Sequence, residues 1–186
     1  MNSTFSAETL LMKPASWISK ERLVVHDIFD NDKCQSLINQ NLIRQCGLSI
    51  ELPEVEVGSF LDVFIQNWLF LPKISKLLAC RRHRAALMYQ QEFENLPQPV
   101  REFCLTDCID IQPIIKGKRV TEDYLYACGA QMLMNLSVHL PPALIQRIPL
   151  LFNESIMGFK FEPHPKPLPL LDFRLAIQHA KFSCSF

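Results

Sequence analysis

The sequence predicts a mainly α fold: an irregular multi-helix single domain with proline-rich connectors. Three apolar stripes recur at helical spacing, within residues 37–43, 61–69 and 125–136. Prolines punctuate the chain between them, 13 in 186 residues against only 5 glycines. With 48% hydrophobic residues, a chain of this length can bury a real core, and residues 1–186 read as one domain.

The first stripe places Leu37, Ile38, Leu42 and Ile43 on one side of a helix, with Asn, Gln and Arg opposite. Asp30 or Asp32 is placed to cap its start, and Gly47 follows where a C-cap is useful. Residues 48–57 carry Glu51, Glu54 and Glu56 around Pro53 and read as a connector, because proline favours a loop or an edge. Ser59 then caps the strongest candidate for a core helix, in which Leu61, Phe64, Ile65, Trp68 and Leu69 are spaced by threes and fours.

Pro72 ends or kinks that helix and can open the next. Ile74, Leu77, Leu78, Arg81, Ala85, Leu87, Met88 and Gln91 extend a helical pattern over residues 73–94, which stops before Pro97 and Pro99. Residues 107–118 show no helical stripe. Thr121, followed by Glu122 and Asp123, starts a helix whose stripe is Leu125, Cys128, Met132 and Leu136. That helix runs to about residue 139 or 140, before Pro141 and Pro142, and Pro142 opens a short helix that Pro149 stops. Prolines 163, 165, 167 and 169 exclude continuous helix and make residues 162–170 a proline-rich connector. Leu171, Leu175, Ala176 and Ala180 then mark the face of a final helix reaching about Phe182.

Composition narrows the function. Lys plus Arg and Asp plus Glu balance at 19 each, so no global field draws the chain to nucleic acid or an anionic membrane. The N-terminal region lacks the basic and apolar runs of a signal peptide, and no apolar run is long enough to span a bilayer, so a cytoplasmic protein without direct membrane insertion is expected. Seven cysteines scattered among apolar residues suit a reducing compartment, most of them as small core residues.

Chemistry is hard to find. Cys104 and Cys108 are spaced by four, but a structural metal site needs closer paired ligands and a second pair. The five histidines form no close pair around a carboxylate, and no cysteine is flanked by an oxyanion-forming glycine loop. No catalytic residue, cofactor or metal is therefore expected. The basic run Arg81, Arg82 and Arg84 reads as an electrostatic docking surface for a protein partner if its side chains face solvent; a second run, Lys116, Lys118 and Arg119, reads as a solvated face. Phe161 beside the prolines, and Phe182 and Phe186 at the tail, are candidate apolar anchors.

Several blocks resemble a known family. Trp68, Leu71-Pro72, Leu77-Leu78 and Cys80, with Arg84 and Leu87 downstream, are similar to the tryptophan, leucine-proline, double-leucine stretch of the SctK family of type III secretion sorting-platform proteins, especially its OrgA-type and MxiK-type members. Residues 146–152, Gln-Arg-Ile-Pro-Leu-Leu-Phe, resemble the family's arginine, proline, leucine, leucine, phenylalanine turn. Residues 175–181 resemble its C-terminal helix, and Ile18, Arg22 and Leu23 give an N-terminal match. The resemblance implies a non-enzymatic cytosolic adaptor that links the inner-membrane ring protein SctD to SctQ and SctL, peripheral to the membrane base of the secretion apparatus. The alternatives are a small thiol- or metal-dependent enzyme using Cys104 or Cys108, or a type III secretion chaperone; the latter are commonly acidic dimers, unlike this neutral chain.

Overall fold

Backbone capping sets where the helices begin. A computed structural model describes residues 5–106, 119–159 and 168–182. Ten α-helices lie among the described residues: α1 Ala7–Met12, α2 Asp32–Gln45, α3 Phe60–Gln66, α4 Leu71–Arg82, α5 Arg84–Tyr89, α6 Gln98–Leu105, α7 Glu122–Met134, α8 Pro142–Ile145, α9 Glu154–Met157 and α10 Leu170–Phe182. No strand occurs among those residues, and the fold is mainly α as the stripes predict. Residues 107–118, the prolines at 163, 165 and 167, and Cys108, Phe161, Cys184 and Phe186 lie outside the described residues.

The Ser59 hydroxyl accepts the Asp62 N–H at 3.2 Å and the Thr121 hydroxyl accepts the Tyr124 N–H at 3.2 Å, the caps expected for α3 and α7. The α2 cap is neither Asp30 nor Asp32 but Asn31, whose Oδ1 accepts the Cys34 N–H at 3.0 Å. Asp32 is instead the first helical residue, where its charge complements the helix dipole. At the far end the Leu48 N–H reaches Ile43 O and the Gly47 N–H reaches Arg44 O, with Gly47 at φ +59°. This is the left-handed C-cap that Gly47 makes possible. Gln91, at φ 61°, closes α5 in the same way without being glycine.

Three segments depart from the sequence reading. The 73–94 helix is two helices that break at His83, whose φ of −96° and ψ of 15° leave helical geometry. Residues 98–105 form α6, because Pro99 sits in its first turn, where a missing N–H costs nothing. Likewise Pro149 does not stop a helix but lies within the 3-10 turn Ile148–Leu151. The last α7 turn tightens to 3-10 over Asn135–His139.

Contacts divide the chain into two units, residues 1–69 with 137–157 and residues 70–136 with 158–186, so the chain passes between them three times. In the first unit Trp17, Phe64 and Trp68 are buried together, with the Trp17 and Trp68 rings edge to face at 5.4 Å. The Trp17 indole N–H donates to Leu10 O at 3.1 Å, which ties α1 to this aromatic core. Asn39 turns inward on α2 and its Oδ1 accepts the Ala15 N–H at 2.8 Å, so the helix presents Ile38, Asn39 and Leu42 inward and leaves Leu37 exposed.

Arg147 is the least expected residue of this unit. Its side chain is 0% exposed, and its guanidinium donates to Ser49 O at 2.6 Å, Ala143 O at 2.9 Å and Leu11 O at 3.1 Å. Burial lowers its pKa from the ordinary arginine value. The turn around it also receives the N-terminal segment: the Ser19 N–H donates to Leu150 O at 2.9 Å, and Arg22 Nε donates to Phe152 O.

In the second unit α4 is central and packs against α7, α10 and α6. The α4–α7 contact is close because Gly129 lies against the Ser75 backbone, where an added Cβ would come well under 3.0 Å from the Ser75 carbonyl. Ser75 is itself buried, and its hydroxyl donates to Pro72 O at 2.7 Å. The α10 face turned inward is Phe173, Ala176, Ile177 and Ala180; Leu171, expected on that face, is exposed.

Two substitutions test these contacts. Gly129→Ala should lower stability by about 1–3 kcal/mol through overpacking, although alanine is the better helix former by about 1 kcal/mol. A denaturation midpoint at or above that of the parent would contradict the close approach. Arg147→Lys should cost about 2–4 kcal/mol, because a single ammonium cannot match the fork that reaches three carbonyls. Melting curves unchanged by this substitution would show that the guanidinium ties nothing.

Candidate functional site

The arginines at the α4–α5 junction read as a docking surface if their side chains face solvent, a condition that Arg81 and Arg82 do not meet. Arg81 continues the stripe of Ile74, Leu77 and Leu78, so the helix carries it inward, where it is 1% exposed. Its Nη2 pairs with Asp172 Oδ2 of α10 at 2.7 Å, its Nη1 donates to Thr106 Oγ1 at 3.3 Å, and its guanidinium stacks 4.7 Å from the Phe103 ring centroid. The ion pair, hydrogen bond and aromatic face together compensate a buried charge.

Arg82 is buried as well. Arg84 is half-buried and its Nη1 donates to Cys104 O at 2.9 Å and Thr106 O at 3.5 Å. These carbonyls close the end of α6, which has no intrahelical donors left for them, so Arg84 serves as a cationic C-cap. Arg81 therefore fastens α6 and α10 to α4, and Arg84 fastens the end of α6 to α5. Of the second basic run, Arg119 is exposed and pairs with Glu92 at 3.1 Å, while Lys116 and Lys118 lie outside the described residues. Phe161 also lies outside them, and Phe182 closes α10 with its side chain undescribed.

Among the described cysteines, Cys80, Cys104 and Cys128 are buried, Cys34 is half-buried and Cys46 is exposed, and none of the five is in a disulfide. Burial pushes the Cys80 thiol up to about 12, so it stays protonated and unreactive at neutral pH. His83 Nε2 lies 3.3 Å from Cys128 Sγ and its ring meets Tyr124 edge-on at 5.2 Å. The helical phase of α4 brings this pair together across the α4–α7 contact, which the sequence alone did not indicate. No group of three or more His, Cys, Asp or Glu side chains that could hold a metal occurs among the described residues. No described helix is long and apolar enough to cross a membrane.

The Arg81–Asp172 pair can be tested by a double-mutant cycle. Arg81→Met alone should destabilise the protein by about 3–5 kcal/mol by leaving the Asp172 carboxylate without its partner, whereas Arg81→Met with Asp172→Leu should lose much less. Equal losses in the single and double variants would mean that the pair is not coupled.

The segments that carry the sequence resemblance have defined places in this geometry. Trp68 sits in the aromatic core of the first unit, Leu77, Leu78 and Cys80 on the buried face of α4, and Arg22 donates to Phe152 of the turn around Arg147. The oxygen-regulated invasion protein OrgA, from the Salmonella typhimurium strains 14028s, SL1344 and LT2, is 25% identical over 150 residues, covering 80% of this chain and 75% of OrgA. No solved structure matches the chain. The model of the bacterial type III secretion apparatus protein family OrgA_MxiK matches residues 7–182, and the chain belongs to that family.

Proposed function

We propose that this protein is a non-enzymatic cytosolic adaptor of the type III secretion sorting platform, a single adaptor domain over residues 1–186 that links the inner-membrane ring protein SctD to SctQ and SctL. The observation that carries this reading is the family match across residues 7–182. The chemistry of the chain is consistent with it. Of the arginines that first suggested a site, Arg81 and Arg84 are engaged within the fold, and the buried thiol of Cys80 is poorly suited to nucleophilic attack. An adaptor needs binding faces rather than a reaction centre.

The burial of Arg81 and Arg82 shifts direct partner contact to other residues. Arg84, which keeps part of its surface exposed, and the aromatic residues Phe161 and Phe182 are the candidates within this reading. Mixed with purified SctD cytoplasmic domain and SctQ, the chain should co-elute with both in gel filtration. Phe161→Ala with Phe182→Ala should weaken at least one of the two associations about tenfold while leaving helical content intact. An elution profile in which the chain runs free of both proteins would overturn the adaptor assignment.

A further inference from the structure

The balanced total charge conceals a segregation. Counted from the sequence, the unit of residues 1–69 and 137–157 holds six Lys and Arg against ten Asp and Glu, and the other unit holds thirteen against nine. One unit therefore carries a net charge of −4 and the other +4, within a chain whose total is zero. One of the six cations of the acidic unit, Arg147, is buried and contributes nothing to its surface.

Part of the negative charge lies in a stretch of sequence that contains no cation. No lysine or arginine occurs between Arg44 and Lys73, and this stretch contains Glu51, Glu54, Glu56 and Asp62. Asp62 is committed within the fold, its carboxylate accepting the Gly58 N–H at 2.7 Å and the Gln66 side chain at 2.9 Å. The three glutamates are exposed, and none takes part in an ion pair among the described residues.

Apolar side chains alternate with these carboxylates. Ile50 is 54% exposed and Val57 is 96% exposed, with Leu52 and Val55 half-buried between them. The strip is held at both ends. Ser49 accepts from Arg147 and its N–H donates to Gln146 Oε1 at 2.8 Å, while the Ser59 N–H donates to Glu56 O at 3.1 Å. Between these anchors the peptide N–H groups of Leu52, Glu54, Val55 and Glu56 make no hydrogen bond among the described residues. A strip fixed at its ends loses little conformational entropy when a partner settles on it.

We infer that residues 50–57 form a docking surface for a basic protein segment in which lysines or arginines alternate with apolar side chains. Charge complementarity selects the class of occupant: nucleic acid and anionic lipid are repelled, whereas a cationic segment meets three uncompensated carboxylates and finds exposed Ile50 and Val57 for its apolar residues. The inference deepens the adaptor reading and rests on it for the expectation that the occupant is another protein. The two fail separately, since SctD and SctQ can bind elsewhere when the strip is inert.

The test uses the full chain and a fluorescently labelled synthetic peptide of alternating lysine and valine, with an alternating lysine and serine peptide for comparison. The lysine–valine peptide should bind the parent protein in a salt-sensitive manner. Glu51→Lys/Glu54→Lys/Glu56→Lys should weaken it by at least about tenfold, and Ile50→Ser/Val57→Ser by a few-fold with little change in salt dependence. Circular dichroism and melting should match the parent, since all five positions are exposed. Unchanged affinity in the triple variant would overturn the proposal, as would equal binding of the lysine–serine peptide. Sedimentation showing a homodimer that the triple variant abolishes would also overturn it, by giving the strip to a second copy of the chain.

Discussion

A guanidinium removed from water and held by main-chain carbonyls is the constraint on which the first unit depends. Arg147 draws its acceptors from α1, from the segment after α2 and from α8. Those helices are short, six residues in α1 and four in α8, and helices of that length do not persist alone in water. Their order must come from tertiary ties. A carbonyl acceptor suits this role because the end of a helix or loop offers it without a side-chain partner, and arginine can reach several at once in a fixed plane. The second unit solves a similar problem with longer helices, a glycine that lets α7 lie against α4, and a buried ion pair joining α4 to α10.

Local signals were legible in the sequence where their physics is local. Ser59, Thr121 and Gly47 act on N–H and carbonyl groups within a few residues, and each sits where the capping rules place it. Prolines were harder to read, because one residue type both ends a helix and opens the next. Pro99 opens α6 in a stretch that reads as a stop. The arginines show a different limit. Arg81 was on the apolar stripe of α4, so its burial was written in its spacing, but its charge suggested the surface. The partners that make burial tolerable, Asp172, Phe103 and Thr106, come from α10 and from α6 with its C-terminal flank, and no local pattern links them to α4. Arg147 is more opaque still. Its acceptors are backbone atoms, which carry no sequence identity at all.

These placements also change how the charge of the chain is read. A total of zero suggests a protein without electrostatic preference, yet Arg81, Arg82 and Arg147 are withdrawn from solvent while Glu51, Glu54 and Glu56 remain in it. The surface and the sequence therefore have different balances. The charge is also divided unevenly along the chain, one unit carrying a net −4 and the other +4.

Because the chain passes between the units three times, neither unit is a continuous stretch of polypeptide. During synthesis the Leu11 and Ser49 carbonyls emerge long before the guanidinium that binds them, 136 and 98 residues ahead of Arg147. At elongation rates of roughly 5–20 residues per second, the aromatic residues of the first 69 positions wait several seconds for their closing element. In that interval most of the second unit is made, and its own last helix, α10, follows only after the first unit has received Arg147. The order of translation thus exposes the segment that holds Trp17 and Trp68 before its tie arrives, and apolar surface left open in that way favours aggregation.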